Sequence, residues 1–225
     1  MSKDLSLFLL AIRGSLAGAS LEASRKTHND TAGAPANVAA AQSLGDVSHM
    51  VHVPVQPNGH GANQFLILDI WNSMDGLNKF FANPTVQEQA GQIFTDRDPV
   101  VWINAEGFVS YHIPAPFGQN ERIVALVRGR VPSVDQAMKV HNAGAGSMIN
   151  QARKAGNLSH EAYFRMAPPG SPEALEFFAL DTWMDAGRMQ AYYDQPGFMK
   201  TLDGLFSTQP DFSTWVHPKG EWVEW

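Results

Sequence analysis

Two stretches of this chain say nearly the same thing. LDIWNSMDGLNKFFANPTVQEQAGQIF runs from Leu68 to Phe94, and LDTWMDAGRMQAYYDQPGFMKTLDGLF runs from Leu180 to Phe206. They align without a gap at an offset of 112 residues, with Leu, Asp, Trp, Pro and the final Phe identical. Leu77/Met189, Asn78/Gln190, Phe80/Tyr192, Phe81/Tyr193 and Asn83/Gln195 are close substitutes. Upstream, Thr27-His28-Asn29 is echoed by Val140-His141-Asn142, and Asp46-Val47-Ser48-His49 by Asn157-Leu158-Ser159-His160. Arg13-Gly14 matches Arg128-Gly129, and downstream Trp102 matches Trp215. Self-similarity of this extent means two homologous units in one chain. The spacing predicts units 1–116 and 117–225. The join is expected at Ile113-Pro114-Ala115-Pro116-Phe117-Gly118-Gln119, which can continue neither strand nor helix.

Each unit reads as strand, helix, strand, strand, helix, strand. In the second, Arg122–Arg130 is apolar and β-branched. Ser133 is a helix N-cap, and Val134–Ala155 carries apolar residues at helical spacing up to the Gly156-Asn157 stop. Strands are expected at Ser159–Met166, Phe177–Trp183 and Ser213–His217. A helix over Gly187–Phe206 is broken near Pro196-Gly197. The first unit matches, except that Thr31-Ala32-Gly33-Ala34-Pro35 interrupts its first helix. The order βαββαβ is the ferredoxin-like unit. Its helices lie on one face of the sheet, so the other apolar face needs a cover. The expected fold is α+β: two tandem ferredoxin-like units packed sheet to sheet as an intramolecular α/β barrel.

Composition removes several functions. The 225 residues carry a formal net charge of −6 and no basic block, which argues against nucleic acid and anionic membrane as partners. There is no cysteine, so thiolate nucleophiles and cysteine-based metal sites are out. The apolar run Leu5–Ile12 reads as a buried strand, and no segment reaches the roughly 20 apolar residues of a membrane helix. A cytoplasmic location is expected.

The segments Gly156-Asn157-Leu158-Ser159-His160-Glu161 and Leu180-Asp181-Thr182-Trp183, followed by a helix leading to Gln195-Pro196 (Asn83-Pro84 in the first unit), resemble the antibiotic biosynthesis monooxygenase-like proteins. These belong to the dimeric α/β barrel superfamily, and the resemblance spans both halves. It implies a ligand pocket between sheet and helices beside the third-strand Trp. The activities it suggests include cofactor-free oxygenation of aromatic polyketides and haem degradation. Haem-degrading members place an iron-ligating His near the positions that are Phe80 and Tyr192 here, which counts against haem.

Strand parity puts Phe65, Ile67, Asp69 and Trp71 on one face, and Phe177, Ala179, Asp181 and Trp183 on the matching face of the second unit. That face should look toward the helices. His28 and His141 lie on the apolar stripes of the first helices and should point at it. The expected catalytic pairs are therefore His28 with Asp69 and His141 with Asp181, the carboxylate orienting an imidazole that acts as general base. The alternative is a buried histidine satisfied by a carboxylate. Trp71, Trp183, Phe80, Tyr192, His49 and His160 are candidate substrate-binding residues. The Phe80-Phe81 to Tyr192-Tyr193 exchange gives the second half hydroxyls that the first lacks.

No metal site is expected. His49 and His52 fall on opposite faces of a strand, and His60 falls in the Pro57–Gly61 turn. The tail Glu221-Trp222-Val223-Glu224-Trp225 alternates like an edge strand and could cover a sheet edge or an oligomer contact.

The expected function is a cofactor-independent enzyme on a small hydrophobic or aromatic substrate, with monooxygenation by a His base first. A cofactor-free lyase, isomerase or cyclase, a non-catalytic binder of an apolar metabolite, and a haem enzyme using His28, His141 or His160 are the alternatives. A homodimer fits any of these.

Overall fold

The computed structural model describes residues 6–55, 61, 63–112 and 122–225; the expected join, His60 and the first residues lie outside them. The chain packs as two units, 1–102 with 217–225 and 103–216. The repeats of the sequence and these packed units follow different criteria, and the last residues of each repeat account for the difference.

Unit 1 is built from β1 (Phe8–Leu16), α1 (Leu21–Asp30), α2 (Pro35–Ser43), β2 (Asp46–Pro54), β3 (Gln64–Trp71), α3 (Met74–Phe81), α4 (Pro84–Ile93) and β4 (Phe94–Asn104). Its strands are ordered β4-β1-β3-β2. Unit 2 holds β5 (Tyr111–His112), β6 (Ile123–Arg130), α5 (Val134–Ala155), β7 (Asn157–Arg165), β8 (Glu176–Trp183), α6 (Ala186–Tyr193) and β9 (Asp211–Val216). Its order is β9-β6-β8-β7-β5. The fold is α+β with a ferredoxin-like strand order in each unit.

Local sequence explains the element ends. Ser20, Ser73, Ser133 and Asp185 each accept a backbone N–H from the first turn of α1, α3, α5 and α6. Gly156 ends α5 at φ 100°, where a side chain would be strained. The Gly144-Ala145-Gly146 stretch leaves α5 unbroken and serves close packing: a Cβ at Gly144 would stand 2.7 Å from the Thr201 carbonyl oxygen. That oxygen belongs to the short 3-10 turn Met199–Leu202, which follows the break expected at Pro196-Gly197.

The core of unit 1 gathers Leu10, Ile12, Phe65, Ile67 and Trp71 from the sheet with Leu77 and Ile93 from the helices. The core of unit 2 gathers Phe164, Phe177 and Ala179 with Ala137 and Leu205. Trp102 and Trp215 are buried, as core residues should be.

Candidate functional site

The cross-strand register sets the site. His49 stands opposite Asp69 on β2 and β3, and His160 opposite Asp181 on β7 and β8. Directly opposed residues bring their side chains together on one face. Both strand pairs then carry the same irregularity, between Asp46 and Ser48 and between Asn157 and Ser159. One extra residue in the bulge restores the phase of the pleat. Asp46 therefore comes to the face of His49, and Asn157 to that of His160, although each pair is three residues apart.

The expected His28–Asp69 and His141–Asp181 pairs do not form directly. A second histidine stands between the partners in each unit. In unit 1, His28 Nε2 is 3.0 Å from His49 Nε2, and His49 Nδ1 is 2.7 Å from Asp69 Oδ1. In unit 2, His141 Nε2 is 2.9 Å from His160 Nε2, and His160 Nδ1 is 2.7 Å from Asp181 Oδ1. The reason is reach: the opposed strand histidine takes the carboxylate first. The far nitrogens face asparagines, His28 Nδ1 at 3.0 Å from Asn29 Oδ1 and His141 Nδ1 at 3.3 Å from Asn142 Oδ1.

The asparagine orientations are fixed by the backbone. Asn29 donates from Nδ2 to the Glu221 carbonyl, and its Oδ1 accepts the Val223 N–H. Asn142 donates to the Gly107 carbonyl and accepts from the Val109 N–H. These oxygens are acceptors, so the facing imidazole nitrogens carry protons. Each chain then has three hydrogen bonds and needs three protons. Two neutral imidazoles beside an ionised carboxylate supply only two. A relay that makes all three bonds at once therefore carries one proton more than two neutral imidazoles bring.

Burial, then the neighbouring His49, pushes His28 down to about 4. Burial and His160 push His141 down to about 4 as well. Burial also opposes a proton on His160, but the Asp181 carboxylate overrides it and holds the pKa above the usual value. In unit 2 a proton is held more readily on the strand histidine than on the helix histidine.

Aromatic arms cover both relays. In unit 1, Trp222 lies 5.2 Å from His28, and Trp225 stacks on His49 at 4.5 Å. Trp225 also exchanges backbone hydrogen bonds with His49 in both directions. In unit 2, Phe108 lies 5.2 Å from His141 and Tyr111 6.1 Å from His160. The two arms are equivalent segments, each following the last strand of its own repeat. The arm that completes unit 1 comes from the second repeat, and the arm that completes unit 2 from the first.

The units diverge around the carboxylate. In unit 2 both oxygens of Asp181 are engaged, Oδ1 also by Asn157 Nδ2 at 3.3 Å and Oδ2 by the Tyr193 hydroxyl at 2.9 Å. Trp183 Nε1 donates to the same hydroxyl at 3.1 Å, and Tyr111 donates to Asn157 at 2.5 Å. Burial, then Asp181, keeps Tyr193 well above the usual phenol range. In unit 1 the counterparts are Phe81 and Asp46. Trp71 Nε1 is buried without a partner. No donor among the described residues reaches Oδ2 of Asp69. Burial, then the Asp69 charge, pushes Asp46 up to about 8, so it holds its proton far more tightly than a free aspartate.

A cavity of about 220 Å³ opens at this place in unit 1. Asp46, His49 and Asp69 line it with Phe80, Phe81 and Trp225, and Arg97 is at its wall. It lies between the sheet and the helices. Phe80 and His49 thus line a pocket. Trp71 is packed behind Phe80 and Phe81, and His28 is sealed beneath Trp222. Tyr192, buried against Trp183, sits away from the Asp181 hydrogen bonds; the tyrosine that reaches Asp181 is Tyr193. Sequence reasoning missed Asp46, Asn157 and the arm of residues 105–112, and it raised the Tyr193 hydroxyl and the tail 221–225 without placing them at the relays. The recurring His-Asn pair was the available signal for the arms, since both asparagines dock them.

Iron ligation by His28, His141 or His160 does not fit the relays. His28, His141 and His160 each have both ring nitrogens hydrogen-bonded, so none offers a lone pair without breaking the relay. Among the described residues no group of three or more His, Asp or Glu could hold a metal ion, and no helix is long and apolar enough to cross a membrane.

No protein-family model matches the chain, and no curated protein matches it. Solved structures do. An anthrone oxidase-like protein is 16% identical, with 96% of this chain and 92% of that one covered at a TM-score of 0.66. A candidate monooxygenase from Fusobacterium nucleatum is 9% identical, with 99% and 98% covered at 0.63. Another from Lactobacillus acidophilus is 10% identical, with 96% and 97% covered at 0.60. At these identities the likeness is one of fold.

Proposed function

We propose that unit 1 houses a cofactor-free oxidation of a small aromatic molecule by dioxygen, with Asp69 as the group that takes the substrate proton. The observation that carries this reading is a buried carboxylate held on one oxygen by an Asp–His–His relay, its other oxygen without a donor, at the wall of an apolar cavity. The fold shared with an anthrone oxidase-like protein and candidate monooxygenases supports the reaction class. The volume is below the roughly 300–1,000 Å³ of drug-sized pockets, which favours a flat molecule of few rings.

The base differs from the histidine expected from sequence. Both nitrogens of His28 and of His49 are engaged, so the open atom is Asp69 Oδ2. The relay fixes the carboxylate beside the cavity, ready to take a proton. An aromatic carbon acid that loses a proton to Asp69 becomes an electron-rich carbanion. It passes an electron to dioxygen, and the radical pair combines to a hydroperoxide. Loss of water converts the CH₂ to C=O, with one oxygen atom in the product and one in water. The electrons come from the substrate. Apolar walls exclude water from the intermediates.

Oxygen uptake with anthrone as probe is the test. Uptake above buffer is expected, falling about a hundredfold or more in Asp69→Asn. Anthrone that binds but never consumes oxygen would move the protein to the binder class, where affinity survives that substitution.

A further inference from the structure

The relay explains where a substrate proton goes but leaves a second carboxyl at the same wall unused. Asp46 is 5% exposed, lines the cavity, and lies close enough to Asp69 for its charge to be felt. One oxygen accepts the Ser48 N–H at 3.3 Å. No aromatic arm residue hydrogen-bonds it, whereas the equivalent Asn157 is tied to Tyr111 and Asp181. A bulge in β2 holds Asp46 on the site face. A strand aspartate kept there beside another carboxylate is costly to bury, and unit 2 avoids that cost with a carboxamide.

We propose that Asp46 is the acid partner of Asp69, so that the pocket enolises an aryl ketone: Asp69 takes the proton from the carbon beside the carbonyl while Asp46 gives its proton to the carbonyl oxygen. The C–H electrons become the C=C bond, and the carbonyl π pair becomes the O–H bond. Asp69 ends protonated and Asp46 ionised, so the proton count is unchanged and the reverse step restores both. This rests on the reading of unit 1 as the reactive pocket and adds a substrate class, a ketone with an acidic neighbouring C–H. Asn157 has no proton to release, and unit 2 lacks this step.

The charged and titratable groups around the acid are Asp69 on β3, His49 on β2 and Arg97 on β4; the helix side of the cavity contributes Gln87 and Gln89. Only a neutral Asp46 can donate, so the rate should fall as pH rises through about 8.

The experiment follows deuterium uptake at the α-carbon of 1-tetralone in deuterated buffer under nitrogen. The full-length protein should exchange faster than buffer. Asp46→Asn, which installs the unit 2 residue, should lower kcat tenfold or more with little change in KM and remove the decline above pH 8. Asp46→Glu should recover part of the rate. Exchange by Asp46→Asn at the wild-type rate, or none above buffer from the wild type, overturns the proposal. The oxygenase reading fails separately. A protein that exchanges the ketone but consumes no oxygen keeps Asp46 and loses the oxidation. Oxygen consumption unchanged in Asp46→Asn does the reverse.

Discussion

The two relays share the chain order His-Asn, His, Asp and a covering arm, yet one is closed and the other open. In unit 2 Asp181 has a donor on each oxygen, and Trp183 has a partner for its indole N–H. In unit 1 Phe81 provides no hydroxyl, Trp71 Nε1 has no partner, and Asp46 brings a second carboxyl. An unsatisfied buried donor costs about 1–3 kcal/mol. The difference shows what unit 1 forgoes in stability. Groups left unpaired at a cavity are a common trade for reactivity.

The largest effect should come from the arms. Trp222→Ala strips a buried ring from His28 and should lower stability by about 3–5 kcal/mol in denaturant titration. A loss under about 1 kcal/mol would show that the arm does not hold unit 1 together. Next is Tyr193→Phe, which makes unit 2 like unit 1. It leaves Trp183 Nε1 and Asp181 Oδ2 short of a partner, for a loss of about 1–3 kcal/mol. The reverse change, Phe81→Tyr, should place a hydroxyl on Asp69 and Trp71. It should add about 1 kcal/mol while suppressing oxygen uptake, and full activity with a hydroxyl there would break the comparison.

Titration gives a smaller, graded contrast. His28 and His141 have folded pKa values of about 4 against 6.5 unfolded. The unfolded chain therefore binds more protons between pH 6.5 and 4, and stability falls as pH drops through that window, by at most roughly 3 kcal/mol per ring. His160 runs the other way: its raised pKa stabilises unit 2 below pH 6.5, and that support is lost as pH rises through its folded value. Asp46, raised from 3.8 to about 8, keeps a proton that the unfolded chain has lost, so stability declines as pH rises across that range. Asp46→Asn should consequently gain about 1–3 kcal/mol more at pH 8 than at pH 5 in urea titrations. Equal gains would mean that Asp46 is already ionised at pH 5.

The repeat made the fold legible, because the same strand and helix signals occur twice and their ends are marked by residues such as Ser133 and Gly156. The face carrying Asp69 and Trp71 also follows from strand parity. Parity fails at the bulges. Counted by twos, Asp46 falls on the wrong side of β2 from His49, and only the extra residue in the ladder returns it. The direct His–Asp pairs were expected because both residues face the same space, but sequence carries no measure of reach across a helix–sheet gap. The arms were hidden for another reason: their contacts join Asn29 to Val223, positions far apart in the chain.

The exchange of arms also sets an order of events. Residues 217–225 complete unit 1, yet they follow its strand residue Trp102 by more than a hundred positions. During synthesis His28 and His49 must wait, bare of Trp222 and Trp225, while the whole of unit 2 is made. A chain emerging at about 5–20 residues per second leaves that interval at several seconds. Unit 2 meets its arm early, because residues 105–112 precede the rest of it. The half proposed to do the chemistry is therefore the last to be assembled, and a chain stopped before Trp222 would carry the relay without its cover.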